Sequence, residues 1–323
     1  MNLLSKSRIL NQSPNLEQRK GHRELKEDST EDRKDLEEDN KFGITYSIMR
    51  NSVFAGAFYP SDKKEIEKLI ESFPKGNERK VLGLVVPHAG YAYSGKTAAL
   101  GFSSVEKKFE TVIIIGTNHN ALGMVSVSGE EWKTPLGTLK PDIELIREIT
   151  EDSIIEVDEE SQKMEHSIEV QLPLMQHFFK EFKIVAISIN PYYFDVVTCK
   201  DVGEKIAEAV KKLNRNVLIV ASSDFTHYGS SYGYVPFDCS KAPEKVKELD
   251  MNVINKILEL KPEEVIRTSE KGMTVCGYGA IAAMLYAVKK LGAKQAKLID
   301  YSTSYDVSKN RNAVVGYASI SVG

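Results

Sequence analysis

Histidines follow three short apolar segments of the sequence at nearly the same point. The segments VLGLVV, TVIIIG and NVLIVAS are typical of buried strands, and they lead into PHAGY, TNHN and SDFTHYG. His88, His119 and His227 can move protons near neutral pH or bind metals. On a turn of helix, Asp224 and His227 would share a face and point into one cleft. A lone histidine in such a loop is more often a packing or capping residue, but three at strand ends favour a reactive site.

A cysteine lies at the start of an apolar helical segment, MTVCGYGAIAAMLYAV. Because a helix N-terminus favours the thiolate, Cys276 is a candidate reactive group. An isolated cysteine is commonly a small buried apolar residue, and that role is assigned to Cys199 and Cys239.

The segment MEHSIEVQLPLMQHFF brings further polar side chains to the beginning of a predicted helix. Glu165 lies at its start, and His166 and Glu169 are three residues apart, so the start of this helix is expected to point polar groups at the site. Aromatic residues near these motifs are candidates for a pocket wall, although the core is their commoner place: Tyr91, Tyr93 and Trp132.

Strand-like and helix-like segments alternate along the chain and must position these residues. The strands are predicted at 81–86, 111–116, 183–189, 216–222 and 296–302, with VVGYASIS as a further candidate. The helices are predicted at 62–72, 95–102, 142–150, 165–180, 201–213, 243–259 and 277–291, with Ser61, Asp62 and Ser94 as candidate capping residues. This alternation predicts an α/β fold with a mostly parallel or mixed sheet flanked by helices. Ligands of such folds bind beyond the carboxyl ends of the strands, where the histidines lie.

Composition sets limits on the class of protein. The chain has 323 residues, a formal net charge of -3 and a pI near 6.2, which gives no global attraction to nucleic acid or anionic membranes. Without an apolar span or a secretory signal, a cytoplasmic location is expected. Residues 1–48 are densely charged and predicted to be a disordered extension, and residues 49–323 are predicted to form one domain.

Several motifs occur together in one order: VFAGAFYP, VVPHAGYAYSG, GTNH, EHSIEVQLP, SSDFTHYG and TVCGYGAI. They resemble the Memo family, also called AmmeMemoRadiSam system protein B, over residues 50–323. The resemblance implies a fold similar to class III extradiol dioxygenases of the LigB type. It also implies that His88, His119 and Cys276 bind a metal, iron(II) or copper, and that His227 is an acid/base group with Asp224 beside it.

A thiolate in place of a carboxylate ligand changes the expected chemistry. Sulfur shifts the preference toward copper(I), zinc or iron, and the ligand itself becomes oxidisable, so catechol cleavage is disfavoured. The leading hypothesis is a metal-dependent oxidoreductase in which Asp224 orients His227 through the second ring nitrogen.

Two alternatives remain open. The first is a non-catalytic scaffold with a vestigial dioxygenase pocket that binds a small molecule or a peptide, since the family resemblance also implies binding of peptides carrying phosphotyrosine. The second is a hydrolase or transferase with Cys276 as nucleophile and His227 as base. A functional link to a radical-SAM enzyme is implied by the resemblance alone.

Overall fold

The computed structural model describes residues 49–106, 108–272 and 274–323. The predicted N-terminal extension, residues 1–48, lies outside the described residues, so its disorder stays a prediction. Within the described ranges, no helix combines the length and the apolar character that crossing a membrane requires.

A large mixed sheet forms the centre of the described chain. The strands are β1 (Gly83–Val86), β2 (Thr111–Thr117), β3 (Val125–Ser128), β4 (Trp132–Thr134), β5 (Gly137–Leu139), β6 (Ile155–Val157), β7 (Lys183–Ile189), β8 (Val217–Ser222), β9 (His227–Gly229), β10 (Ala296–Thr303) and β11 (Ala313–Val322). The order across the sheet is β10, β11, β1, β8, β2, β7, β3 and β6, with β9 paired to β11, while β4 and β5 form a separate hairpin. Four neighbouring strands run parallel to one another: β1, β8, β2 and β7. Strand β11 pairs with β1 in the antiparallel direction, and β3 pairs with β7 in the same way.

Helices cover both faces of this sheet. They are α1 (Lys63–Glu71), α2 (Tyr91–Ser103), α3 (Ile143–Thr150), α4 (Glu159–Lys163), α5 (His166–Glu169), α6 (Leu172–Phe178), α7 (Val196–Lys212), α8 (Ala242–Leu258), α9 (Pro262–Gly272), α10 (Tyr278–Lys290) and α11 (Ser304–Ser308). The predicted α/β class, with a mixed sheet flanked by helices, is confirmed.

Strand β2 shows why its segment is apolar at consecutive positions. Ile113 and Ile115 belong to a buried cluster that includes side chains of α3, α7 and α10. Val112 and Ile114 point the other way, into a cluster that includes side chains of α1, α2 and α6. Each fully buried aliphatic side chain contributes roughly 1.5–3 kcal/mol, so the strands form a rigid platform for the loops at their ends.

Two local predictions about helices are wrong, and one is confirmed. The predicted helix 165–180 is two helices, because Pro173 has no amide hydrogen with which to continue a helix from α5. Ser94 is not a cap, since α2 already begins at Tyr91. Asp62, rather than Ser61, caps α1, where its carboxylate accepts hydrogen bonds from two backbone amides of the first turn.

Candidate metal centre

Neighbouring parallel strands bring the predicted site residues together. His88, His119 and Asp224 each lie two residues beyond the last residue of β1, β2 and β8 respectively. These three strands are adjacent in the sheet, with β8 in the middle, so their carboxyl ends meet at one edge. Cys276 reaches the same edge from the loop that precedes α10.

The two histidines and the cysteine have donor atoms close enough to share one metal ion. The Cys276 sulfur lies 3.3 Å from Nε2 of His88. The donor atoms of His88, His119 and Cys276 all lie within 4.8 Å of one another. Tetrahedral bonds of about 2.0–2.3 Å separate two ligand atoms by roughly 3.5 Å, which is close to this arrangement. Two imidazoles and a thiolate suit copper, zinc or iron, so the residues fit the implied metals.

The surroundings of Cys276 favour the thiolate, which is the form that binds a metal. Burial alone would raise its pKa, but the charge of His88 and hydrogen bonds with His119 and His88 outweigh burial and lower the pKa of Cys276 to about 7. The preceding Val275 has a φ of 61°, a left-handed conformation that is rare for a β-branched residue. Gly277 passes so close to Ser223 that a Cβ there would lie 2.8 Å from the serine side chain. The loop is therefore constrained to present this thiol.

Glu165 supports His119 from outside the donor set. Its fully buried carboxylate accepts hydrogen bonds from Nδ1 of His119 at 2.9 Å, from the backbone amide of His119 at 2.7 Å and from Ser167 at 2.7 Å. Burial opposes ionisation of both groups, but their mutual attraction outweighs it, so the pKa of His119 is raised and that of Glu165 is lowered. Glu165 thus faces the site, as the sequence predicts, whereas Glu169 pairs with Arg50 instead.

His166 is a fourth histidine of this cluster, and no role as a ligand or as an acid/base group is predicted for it from the sequence. Its ring centroid lies 4.2 Å from that of His119, and burial together with the charge of His119 lowers its pKa well below the usual value. His119, Glu165 and His166 also form a group with metal-binding atoms within 4.8 Å. Because Glu165 already accepts three hydrogen bonds, we assign this group to supporting His119.

His227 has one ring nitrogen without a hydrogen. Its Nδ1 lies 2.9 Å from the carbonyl oxygen of Phe225, which can only accept, so Nδ1 carries the hydrogen and Nε2 is free. Burial is the main cause of the lowered pKa of His227, so the ring is neutral at neutral pH. A neutral imidazole with a free nitrogen can accept a proton.

Asp224 has a different hydrogen-bonding role from the one expected. Its carboxylate accepts from the backbone amides of His88 at 2.7 Å and Ala89 at 3.2 Å. The distance to Nε2 of His227 is 3.9 Å, which is too long for a hydrogen bond. The Phe225 carbonyl therefore orients His227, and Asp224 fixes the loop that carries His88.

Asp224 and His227 do not lie on one turn of helix, as the three-residue spacing suggests. The backbone of this segment bonds instead to two strands: Ser223 donates to Val86, and Phe225 donates to Gly316. These long-range bonds draw the segment into the sheet, where it continues as β9, so the helical prediction is wrong.

The aromatic residues nearest the histidines are not the ones considered in the sequence. Tyr91 and Trp132 are buried in the core, and Tyr93 is largely exposed. The rings that contact site histidines belong to Phe54 and Phe58, which lie against His166, and to Tyr232, which lies against His227.

Asp250 of α8 holds the loop before His227. Its buried carboxylate accepts from the Thr226 amide at 2.9 Å and the Tyr301 hydroxyl at 2.7 Å, and burial raises its pKa to about 6 from 3.8. The folded state therefore binds this proton more tightly than the unfolded state, so ionised Asp250 opposes folding above pH 6. We expect Asp250→Asn to raise the free energy of unfolding by about 1–3 kcal/mol at pH 8.

Urea denaturation of both proteins at pH 8 and pH 4 checks this expectation. The variant's higher free energy of unfolding should approach the wild-type value as the pH falls from 6 to 4, because Asp250 of the wild type then takes up its proton. An equal difference in stability at both pH values would contradict it.

Comparison with known proteins assigns the chain to a family. The family model described as "Memo-like protein" matches residues 50–321. A MEMO1 family protein of Methanosarcina barkeri is 43% identical over 280 residues, which covers 85% of this chain and 100% of that protein. One of Thermococcus onnurineus is 41% identical over 290 residues, covering 84% of this chain and 99% of that protein. One of Methanococcus maripaludis is 41% identical over 297 residues, covering 85% of this chain and 100% of that protein.

Among solved structures, an uncharacterized protein of Escherichia coli K12 is similar with a TM-score of 0.45 and 13% sequence identity, covering 76% of this chain and 100% of that chain. The implied likeness to LigB-type dioxygenases stays a prediction. The extent of the family match and the identity of the relatives settle the assignment: the chain belongs to the Memo family.

Proposed function

We propose that this protein is a metal-dependent oxidoreductase with iron(II) or copper bound by His88, His119 and Cys276. The observation that carries the proposal is the convergence of these three donor atoms within 4.8 Å at the carboxyl edge of the sheet. A bound iron or copper ion would supply one-electron redox chemistry at this position.

The neighbouring residues support chemistry rather than metal storage alone. His227 is neutral and has its free Nε2 on the side of Asp224, so it can take up a proton from a substrate bound beside it. Asp224 holds the backbone of His88 and so keeps this ligand and His227 in a fixed relation. The side chains of His119 and His227 are 24% and 30% exposed, which leaves a path for a small molecule.

Anaerobic metal titration tests the proposal directly. We expect about one iron(II) or copper ion per chain, and dioxygen consumption by the loaded protein with ascorbate as reductant. Absence of binding for both metals would defeat the proposal. Binding without dioxygen consumption would favour the second candidate, a ligand- or peptide-binding scaffold, for which Phe54 and Phe58 offer an apolar wall beside His166.

The hydrolase alternative receives less support from the geometry. It pairs Cys276 with His227 as base, but the histidines that contact the sulfur are His88, at 3.3 Å, and His119. His227 makes its shortest polar contact with the Phe225 carbonyl.

His227→Ala separates proton transfer from metal binding. We expect metal stoichiometry to stay unchanged and turnover to fall by about 10²- to 10⁴-fold, the usual contribution of a general acid or base. Asp224→Asn should give a smaller loss, because the asparagine Oδ1 can still accept from the backbone amides of His88 and Ala89, which both donate to Oδ1 of Asp224. Turnover that survives His227→Ala at the wild-type rate would remove the proton-transfer role.

A further inference from the structure

A histidine binds a metal through one ring nitrogen, and the partner of the other nitrogen decides which one is free. For His119 that partner is the Glu165 carboxylate, which accepts from Nδ1 at 2.9 Å. Nδ1 of His119 therefore carries a hydrogen, which leaves Nε2 as the nitrogen that a metal would bind.

For His88 the partner is a hydroxyl group, which can either donate or accept. Oγ of Ser222 lies 3.2 Å from Nδ1 of His88. The same Oγ lies 2.6 Å from the carbonyl oxygen of Ser167, which can only accept, so the single hydroxyl hydrogen points to Ser167. The hydroxyl can then only accept from His88.

A glutamine donates a hydrogen bond to the same hydroxyl and so occupies its second lone pair. Nε2 of Gln171 donates to Ser222 at 2.8 Å and to the carbonyl oxygen of Pro87 at 2.8 Å. The Pro87 carbonyl oxygen can only accept, so the nitrogen of the Gln171 side-chain amide must face it. The same nitrogen therefore faces Ser222. Ser222 thus donates to Ser167 and accepts from both Gln171 and His88, and its hydrogen-bonding capacity is fully used.

We propose that Ser222 and Gln171 are positioning residues that keep a hydrogen on Nδ1 of His88 and so present its Nε2 to the metal centre. This inference rests on the proposed metal-binding function. It also makes the two histidine ligands unequal. His119 donates to a carboxylate and His88 to a neutral hydroxyl, so His119 is the more electron-rich ligand.

The test compares Ser222→Ala with a matched control, Ser126→Ala. Ser126 is also a buried strand serine whose hydroxyl accepts from a glutamine amide, that of Gln162 at 2.9 Å, but it contacts no proposed ligand. Zinc(II) serves as the probe because it brings no redox chemistry. We expect Ser222→Ala to weaken zinc(II) binding by about 10- to 100-fold, as is typical for partners of metal ligands, and Ser126→Ala to leave it unchanged.

A second readout uses the metal-free protein, in which imidazole NMR with ¹⁵N shows which ring nitrogens carry hydrogen. Wild-type His88 should carry a hydrogen on Nδ1, and Ser222→Ala should add a population that carries it only on Nε2. Wild-type His88 without a hydrogen on Nδ1 would overturn the proposal, even if the alanine variant failed to fold. Unchanged zinc(II) affinity and an unchanged spectrum in Ser222→Ala would overturn it as well.

The outcomes distinguish this inference from the proposed function. Wild-type protein that binds neither iron(II) nor copper would defeat the proposed function, whatever the NMR spectrum shows. Tight metal binding together with the wrong tautomer would defeat the positioning role alone.

Discussion

Cys276→Ser is expected to weaken iron(II) or copper binding by more than ~100-fold, beyond the range typical of residues that only support a ligand. A serine hydroxyl does not ionise near neutral pH, and its oxygen is a harder donor than sulfur. The wild-type thiol, in contrast, has its pKa lowered to about 7 by its histidine neighbours against the effect of burial. Titration under anaerobic, reducing conditions against a competing chelator measures the loss.

Cys239→Ser is the matched control for this experiment. Cys239 is also a free, partly buried cysteine, but it packs beside a separate cluster around Tyr228. Its replacement should leave metal affinity unchanged. If Cys276→Ser bound metal as tightly as this control, the thiolate would not be a ligand, and the binding scaffold would become the better account.

The sequence was sufficient to predict where His88, His119 and Asp224 lie in the fold. Each follows an apolar run that forms a strand, and the parallel arrangement of β1, β8 and β2 brings the strand ends to one edge. Such runs are fully buried, so their pattern depends little on distant partners. This is why local reasoning succeeded for the strands and for the position of the cluster.

The supporting contacts could not be predicted, because they depend on register between distant segments. Cys276 is 188 residues from His88, and its position depends on how α10 packs on the sheet. The hydrogen of Ser222 is directed by the Ser167 carbonyl, 55 residues away. The motif EHSIEVQLP drew attention to Glu165, but nothing in the neighbouring sequence indicates that its carboxylate accepts a hydrogen bond from His119.

Arg50 is a further residue whose role the sequence conceals. It opens the motif-bearing region, yet its side chain is only 4% exposed and pairs with the fully buried Glu169 at 2.7 Å. It also donates to the carbonyl oxygens of Gln162 and Glu165 and lies 4.0 Å from the ring centroid of Trp132. Arg50 therefore ties the start of the described chain to the segment that carries Glu165.

Arg50→Met is expected to lower the free energy of unfolding by about 3–5 kcal/mol, the usual cost of removing one partner of a buried ion pair. The Glu169 carboxylate would keep hydrogen bonds from Tyr59 and the amides of Val53 and Phe54 but would lose its cation in a buried position. Urea denaturation measures the effect as a shift in midpoint at constant slope.

Arg267→Met is the control, because Arg267 is 63% exposed and pairs with glutamates at the surface of α9. Exposed pairs of this kind contribute about 0–1 kcal/mol. Arg50→Met combined with Glu169→Gln should recover part of the lost stability, since the double variant buries no unpaired charge. A loss for Arg50→Met no larger than for Arg267→Met would show that Glu169 is stabilised by its hydrogen bonds alone. In that case Glu165, whose carbonyl oxygen Arg50 also contacts, would have to be positioned for His119 by α5 and the sheet without help from this arginine.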